Sequence, residues 1–172
     1  MTIKEELLRD FSKPQMIFLA NKIGANQESF DELIDLFLHE EVKVTQRAAW
    51  LLSHCVDRHP WLMDKHIKAV ILNLNNDVND AVKRNTLRVL QFKEIPEELM
   101  GILAGHCFNY LNSGKEPIAI KAHSMTILFN IVKVFPELKE ELQISIEDQI
   151  PFGSAGIKGR GTKILKALRK IN

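Results

Sequence analysis

Glycine and proline are scarce in this 172-residue chain, at 8 and 6 residues. That shortage argues against a turn-rich sheet protein and suits long helices. Cysteine is scarcer still. Cys55 and Cys107 stand alone, without the paired spacing of a redox or zinc motif, and read as small buried apolar residues in a reducing compartment. No apolar run reaches the length of a membrane span, and Met1–Glu6 has no apolar core of a secretion signal. The sequence reading is therefore a cytoplasmic protein without a membrane partner. Net charge is almost absent, at +1, which removes any global electrostatic case for nucleic acid. What remains is ordinary globular composition, 45% hydrophobic and 26% charged, long enough for one domain over 1–172 with a core of its own.

The missing chemistry follows the same course. Six histidines (His39, His54, His59, His66, His106 and His123) lack the close-spaced pairs that zinc sites use, so no metal is expected. No Gly-x-Ser-x-Gly elbow occurs, and although His54-Cys55 and His106-Cys107 are doublets, neither cysteine has a positional argument for activation. The glycine-rich stretch ending in Gly161-Thr162-Lys163 inverts the Lys-then-Thr order of a phosphate loop and follows no strand. A non-enzymatic protein without catalytic residues or cofactor is the expectation.

What is present is a repeat. Four segments align without gaps: Val44 to Leu52, Val82 to Leu90, Ile120 to Leu128 and Ile157 to Leu165. Each opens on a β-branched residue, has Ala48, Thr86, Ser124 or Gly161 four places on, and closes on an aliphatic followed by leucine. Places 0, +4, +7 and +8 share one face of a helix, so the segments read as equivalent helices seen from their buried side. Pro60, Pro96 and Pro136 each follow one segment and open another amphipathic stretch. Further upstream, Ser29-Phe-Asp-Glu32 reads as a capping box ahead of Phe30, Leu33, Ile34 and Phe37. A helix from about Pro14 to Ile23 and a short leader complete the N-terminal end. The phenylalanines Phe18, Phe30, Phe37, Phe92, Phe108, Phe129 and Phe135 read mostly as core.

Two helices per 37 or 38 residues resembles the HEAT and armadillo-like repeats, over roughly residues 13–170. The resemblance implies an all-α fold, a right-handed α-α superhelix of about four to five antiparallel helix pairs, in which neighbouring pairs cover each other's apolar faces. It also implies that the second helices line a concave groove. The +2 column (Gln46, Arg84, Ala122, Gly159) and the +6 column (Trp50, Arg88, Thr126, Lys163) lie opposite the buried face. Candidate partner-binding residues are therefore Gln46, Arg47, Trp50, Arg84, Arg88, His123 and Lys163, with Trp50 and the arginines as anchors for a protein or peptide. Two other readings stand beside this. Arg47, Arg84, Arg88, Lys121, Arg160 and Lys163 could meet phosphates, as in nucleic-acid binding or base repair by HEAT-like proteins. Alternatively, the acidic residues 1–42 and the basic residues 154–172 could join copies into a structural homo-oligomer.

Overall fold

A computed structural model describes residues 1–172. It holds ten α-helices, three short 3₁₀ turns and no strand. The helices are α1 (Ile3–Arg9), α2 (Lys13–Ile23), α3 (Gln27–His39), α4 (Val42–Arg58), α5 (Ile67–Asn73), α6 (Asp80–Leu90), α7 (Glu97–Asn112), α8 (Ile118–Val132), α9 (Lys139–Gln149) and α10 (Ala155–Leu168). The chain forms two compact units, Met1–Val89 and Leu90–Asn172.

In the first unit four helices start on a side-chain cap. Thr2 and Glu5 form a capping box at α1, and Ser12 accepts the Gln15 amide at α2. Asn79 accepts the Val82 amide of α6 at 3.1 Å. Gly24 terminates α2 at φ 54°, a conformation that strains any side chain with a Cβ. The expected capping box at Ser29 is corrected. Asn26 is the cap, its side chain accepting the Ser29 amide at 2.8 Å, and α3 begins at Gln27. Asparagine caps as well as serine, and starting three residues earlier adds most of a turn without moving the apolar stripe. Phe30, Leu33, Ile34 and Phe37 of that stripe are all buried against α4 and its neighbours.

The leader and the Pro14 helix are tied to each other by polar contacts and both lie on α4. Glu6 of α1, buried, accepts from Gln15 and lies 3.8 Å from Lys22 of α2, while α2 packs along α4. Met16, Ala20 and Ile23 take the 0, +4 and +7 places on α2 and are buried. Pro60 opens a 3₁₀ turn (Pro60–His66) that runs into α5, and Asp31 of α3 accepts from both Lys65 and His66 of that turn.

The second unit repeats the plan with α7 against α8 and α9 against α10, α8 lying along α10 and α7 along α9. Pro96 caps α7, Pro136 opens a turn before α9, and Ser154 caps α10.

The four aligned segments fall on α4, α6, α8 and α10. Val44, Val82, Ile120 and Ile157 are 0, 1, 0 and 3% exposed, and every +4, +7 and +8 residue is buried except Leu165, which is half-buried. Burying one such aliphatic side chain contributes about 1.5–3 kcal/mol, so the shared face is the main source of cohesion in each unit. The +4 place is small because helices approach there. A Cβ at Gly161 would lie 2.9 Å from Cγ2 of Ile146 on α9. Two phenylalanines depart from the core reading: Phe18 and Phe92 are 53% and 79% exposed, whereas Phe30, Phe37 and Phe108 are buried.

Candidate interaction surface

The faces of the second helices opposite the anchors are open. No residue of the +2 or +6 column is buried: Gln46, Arg84, Gly159 and Lys163 are exposed, and Trp50, Arg88, Ala122 and Thr126 are half-buried. This follows from helical geometry, since the arc opposite a fully buried 0/+4/+7/+8 stripe has no neighbour to cover it.

In the first unit, α4 and α6 supply five of the seven candidate residues. Trp50 is held edge-on by Phe11, with ring centroids 5.1 Å apart, and is flanked by His54 at 5.8 Å. Its indole is thus a fixed, half-open surface. Arg47 is committed inward. Its guanidinium donates to the carbonyls of Leu7 and Leu8 at 2.6 and 3.2 Å and lies 4.9 Å from the Phe11 ring. It closes the C-terminal end of α1, where free carbonyls and the helix dipole favour a cation. Arg88 makes a two-pronged pair with Asp57 of α4, at 3.1 and 2.9 Å. Arg84 and Gln46 are exposed, with no hydrogen bond or ion pair to the rest of the chain. Behind this face, burial and then the neighbouring Arg58 charge hold His54 below the ordinary imidazole pKa.

In the second unit, α8 and α10 supply the other two. His123 is half-buried and Lys163 is exposed on the outer side of α10. The residue that joins these helices is not one of the seven partner-binding candidates, though it is one of the six cations weighed for phosphate. Arg160 reaches from α10 to donate to Thr126 Oγ1 at 2.6 Å and to the Ala122 carbonyl at 3.3 Å. Lys121 donates to Gln149 at 2.8 Å. Arg160 and Arg47 share the +3 place, and both bind backbone carbonyls of a neighbouring helix. That common role could have been suspected from the column Arg47, Asn85, His123 and Arg160, but the acceptors lie 34 to 40 residues away and have no signature of their own.

No group of three His, Cys, Asp or Glu side chains converges as metal ligands would. Burial pushes the thiols of Cys55 and Cys107 up to about 12, so neither is a ready nucleophile at neutral pH. No helix is long and apolar enough to cross a membrane.

The profile of the HEAT repeat domain matches residues 3–168 of the chain. No curated protein and no solved structure matches it.

Proposed function

The chain belongs to the HEAT repeat domain family, and from that premise we propose a non-enzymatic interaction module whose second helices present their outer face to a protein or peptide. One observation carries the reading. The 0, +4, +7 and +8 places of four helices are filled by the core, while the +2 and +6 places are without exception left open, with a braced indole and an unpaired arginine among them. A rigid aromatic beside arginine is the kind of anchor that dominates interface energies. Trp50 loses little freedom on binding because Phe11 already fixes it, which lowers the ordering cost of association.

Nucleic-acid binding has less support. Of the six cations that could meet phosphates, Arg47, Arg88, Arg160 and Lys121 are each held by an acceptor within the chain. Only Arg84 and Lys163 stand free. That leaves few of the six to neutralise the dense, regular row of phosphates that nucleic acid presents.

The test is site-specific photocrosslinking in the native cell, with the crosslinker at Gln46 or Arg84 and, as control, at the exposed Lys68 of α5. The module reading expects one discrete partner adduct from positions 46 and 84 and none from 68. Adducts from 68 alone, or from none of the three, overturn it.

A further inference from the structure

Charge is sorted by helix order. The second helices of the pairs (α2, α4, α6, α8 and α10) carry thirteen lysines and arginines against two carboxylates, Asp57 and Asp80. The first helices (α1, α3, α5, α7 and α9) carry four against twelve. Every second helix is net positive by itself, from +1 on α8 to +4 on α10, while α3, α7 and α9 stand at −4, −2 and −3. Because first helices lie beside first helices and second beside second in the second unit, that unit has an acidic side and a basic side. In the first unit α2 lies along α4, and Arg88 ties α6 to α4, so its second helices also form one basic side. The near-zero net charge hides this sorting. It also relocates the acid of residues 1–42. Six of those nine carboxylates are on α3 or in the turn after it, and residues 1–26 carry four cations against three carboxylates.

Helix electrostatics do not account for the pattern. The dipole favours acid in a first turn and base in a last turn. Yet α10 has no acid in its first turn and carries Lys158 and Arg160 close behind it, while α9 ends on Glu147 and Asp148 without a base. Both helices hold charge that their own dipoles disfavour. Internal pairing does not account for it either, since Lys43, Arg84, Lys158, Lys163 and Lys166 are exposed and make no internal hydrogen bond or ion pair.

Building on the module reading above, we propose that its partner is acidic: in each unit the second-helix face receives a glutamate- or aspartate-rich polypeptide segment. Such a segment is drawn to the basic side and repelled by the first helices, which fixes the side on which it docks. A polypeptide fits better than nucleic acid because Asp57 interrupts the basic side of the first unit and Arg47, Arg88, Lys121 and Arg160 are already held within the chain. A duplex presents a charge about every 1.7 Å and calls for a denser, uninterrupted row. Trp50 and the 43% exposed Phe11 add an apolar contact suited to a side chain beside the acidic residues.

The experiment is fluorescence anisotropy on the full chain with four labelled probes: a glutamate-rich peptide, a lysine-rich peptide of equal length, a single-stranded oligonucleotide and a double-stranded one. Each is titrated at about 0.03 M and about 0.3 M salt, where screening lengths differ roughly threefold. Arg84→Glu and Lys163→Glu are compared with Lys68→Glu, which makes the same change of net charge on a first helix. The proposal expects the glutamate peptide to bind best at low salt, each second-helix reversal to weaken it roughly three- to tenfold, and Lys68→Glu to change it less than twofold. It is overturned if the lysine peptide or the oligonucleotides bind more tightly, if no probe binds, or if Lys68→Glu weakens the glutamate peptide as much as the other two. Crosslinks at positions 46 and 84 that persist beside any of these outcomes leave the module standing and remove only the acidic partner.

Discussion

Two glycines of α10 should answer the same substitution with opposite sign. Gly159 and Gly161 are two residues apart in one helix, so alanine brings each the same helix-propensity gain of about 1 kcal/mol. Their surroundings differ. An added Cβ at Gly159 meets nothing within 4 Å, whereas at Gly161 it lies 2.9 Å from Cγ2 of Ile146 and 3.4 Å from Cγ1 of Ile150. Ile146 is fully buried, and its Cγ2 is fixed on a branched Cβ, so the methyl cannot swing aside. Forcing an extra methyl into a packed core costs about 1–3 kcal/mol. Gly159→Ala is therefore expected to stabilise by up to about 1 kcal/mol, and Gly161→Ala to destabilise by about 1 kcal/mol net. Gly161→Leu, with three further carbons, should cost about 3 kcal/mol or more. Thermal unfolding followed by circular dichroism reads all three, since each 1 kcal/mol moves the midpoint of a chain this size by about 2–4 °C. If Gly161→Ala stabilised as much as Gly159→Ala, the claim that small residues mark the close approach of helices at the +4 place would be wrong.

Other substitutions probe single links of the same account. Thr86 occupies the +4 place of α6 with its hydroxyl buried and unpaired, so Thr86→Val should stabilise by about 1 kcal/mol in urea melts, having removed a desolvated polar atom at nearly constant shape. Arg47→Met keeps the stem but strips the donor from the Leu7 and Leu8 carbonyls; a loss of about 1–2 kcal/mol is expected, with amide exchange accelerated in α1 before any other helix. His54 and His106 are both held below the ordinary imidazole pKa, first of all by burial. Their unfolded forms bind protons more readily, so stability is full above about pH 6.5 and falls as pH drops toward the lower folded values. Measuring urea midpoints between pH 8 and pH 5 should show that decline, and His54→Gln with His106→Gln should flatten it. A further decline belongs to Asp31, whose carboxyl the Lys65 hydrogen bond holds down to about 2; that contribution is present above about pH 4 and is lost toward pH 2.

The parts of the fold that repeat were readable because each is a local periodicity. Val44, Val82, Ile120 and Ile157 recur at 37 or 38 residues with small and aliphatic companions at fixed offsets, and all four are buried. Helix α2 escaped that search. Its anchor is Met16, unbranched and only 28 residues before Val44, so α2 carries the small Ala20 and the aliphatic Ile23 without matching the period. Ser29 misled because its capping pattern is good by itself, yet Asn26 reaches its amide first. Phe18 and Phe92 obeyed helical spacing but face outward, since composition cannot tell which side of an end helix or of a turn has a neighbour. At the candidate surface the exposed columns follow from geometry alone. The inward commitment of Arg47 and Arg160 does not, because their acceptors, backbone carbonyls and for Arg160 also the Thr126 hydroxyl, belong to other helices far away in sequence. Charge sorting needed helix boundaries before it could be counted.

The register of the second helices can be measured directly by thiol labelling under native conditions. With Cys55 and Cys107 replaced by alanine, single cysteines at Gln46, Arg84 and Lys163 should react at rates near those of a free thiol. Cysteines at Val44, Val82 and Ile120 should react at least about a hundredfold more slowly, because reaction there waits on local opening. Comparable rates in the two sets, or faster labelling at the anchors, would contradict the division into a covered face and an offered one.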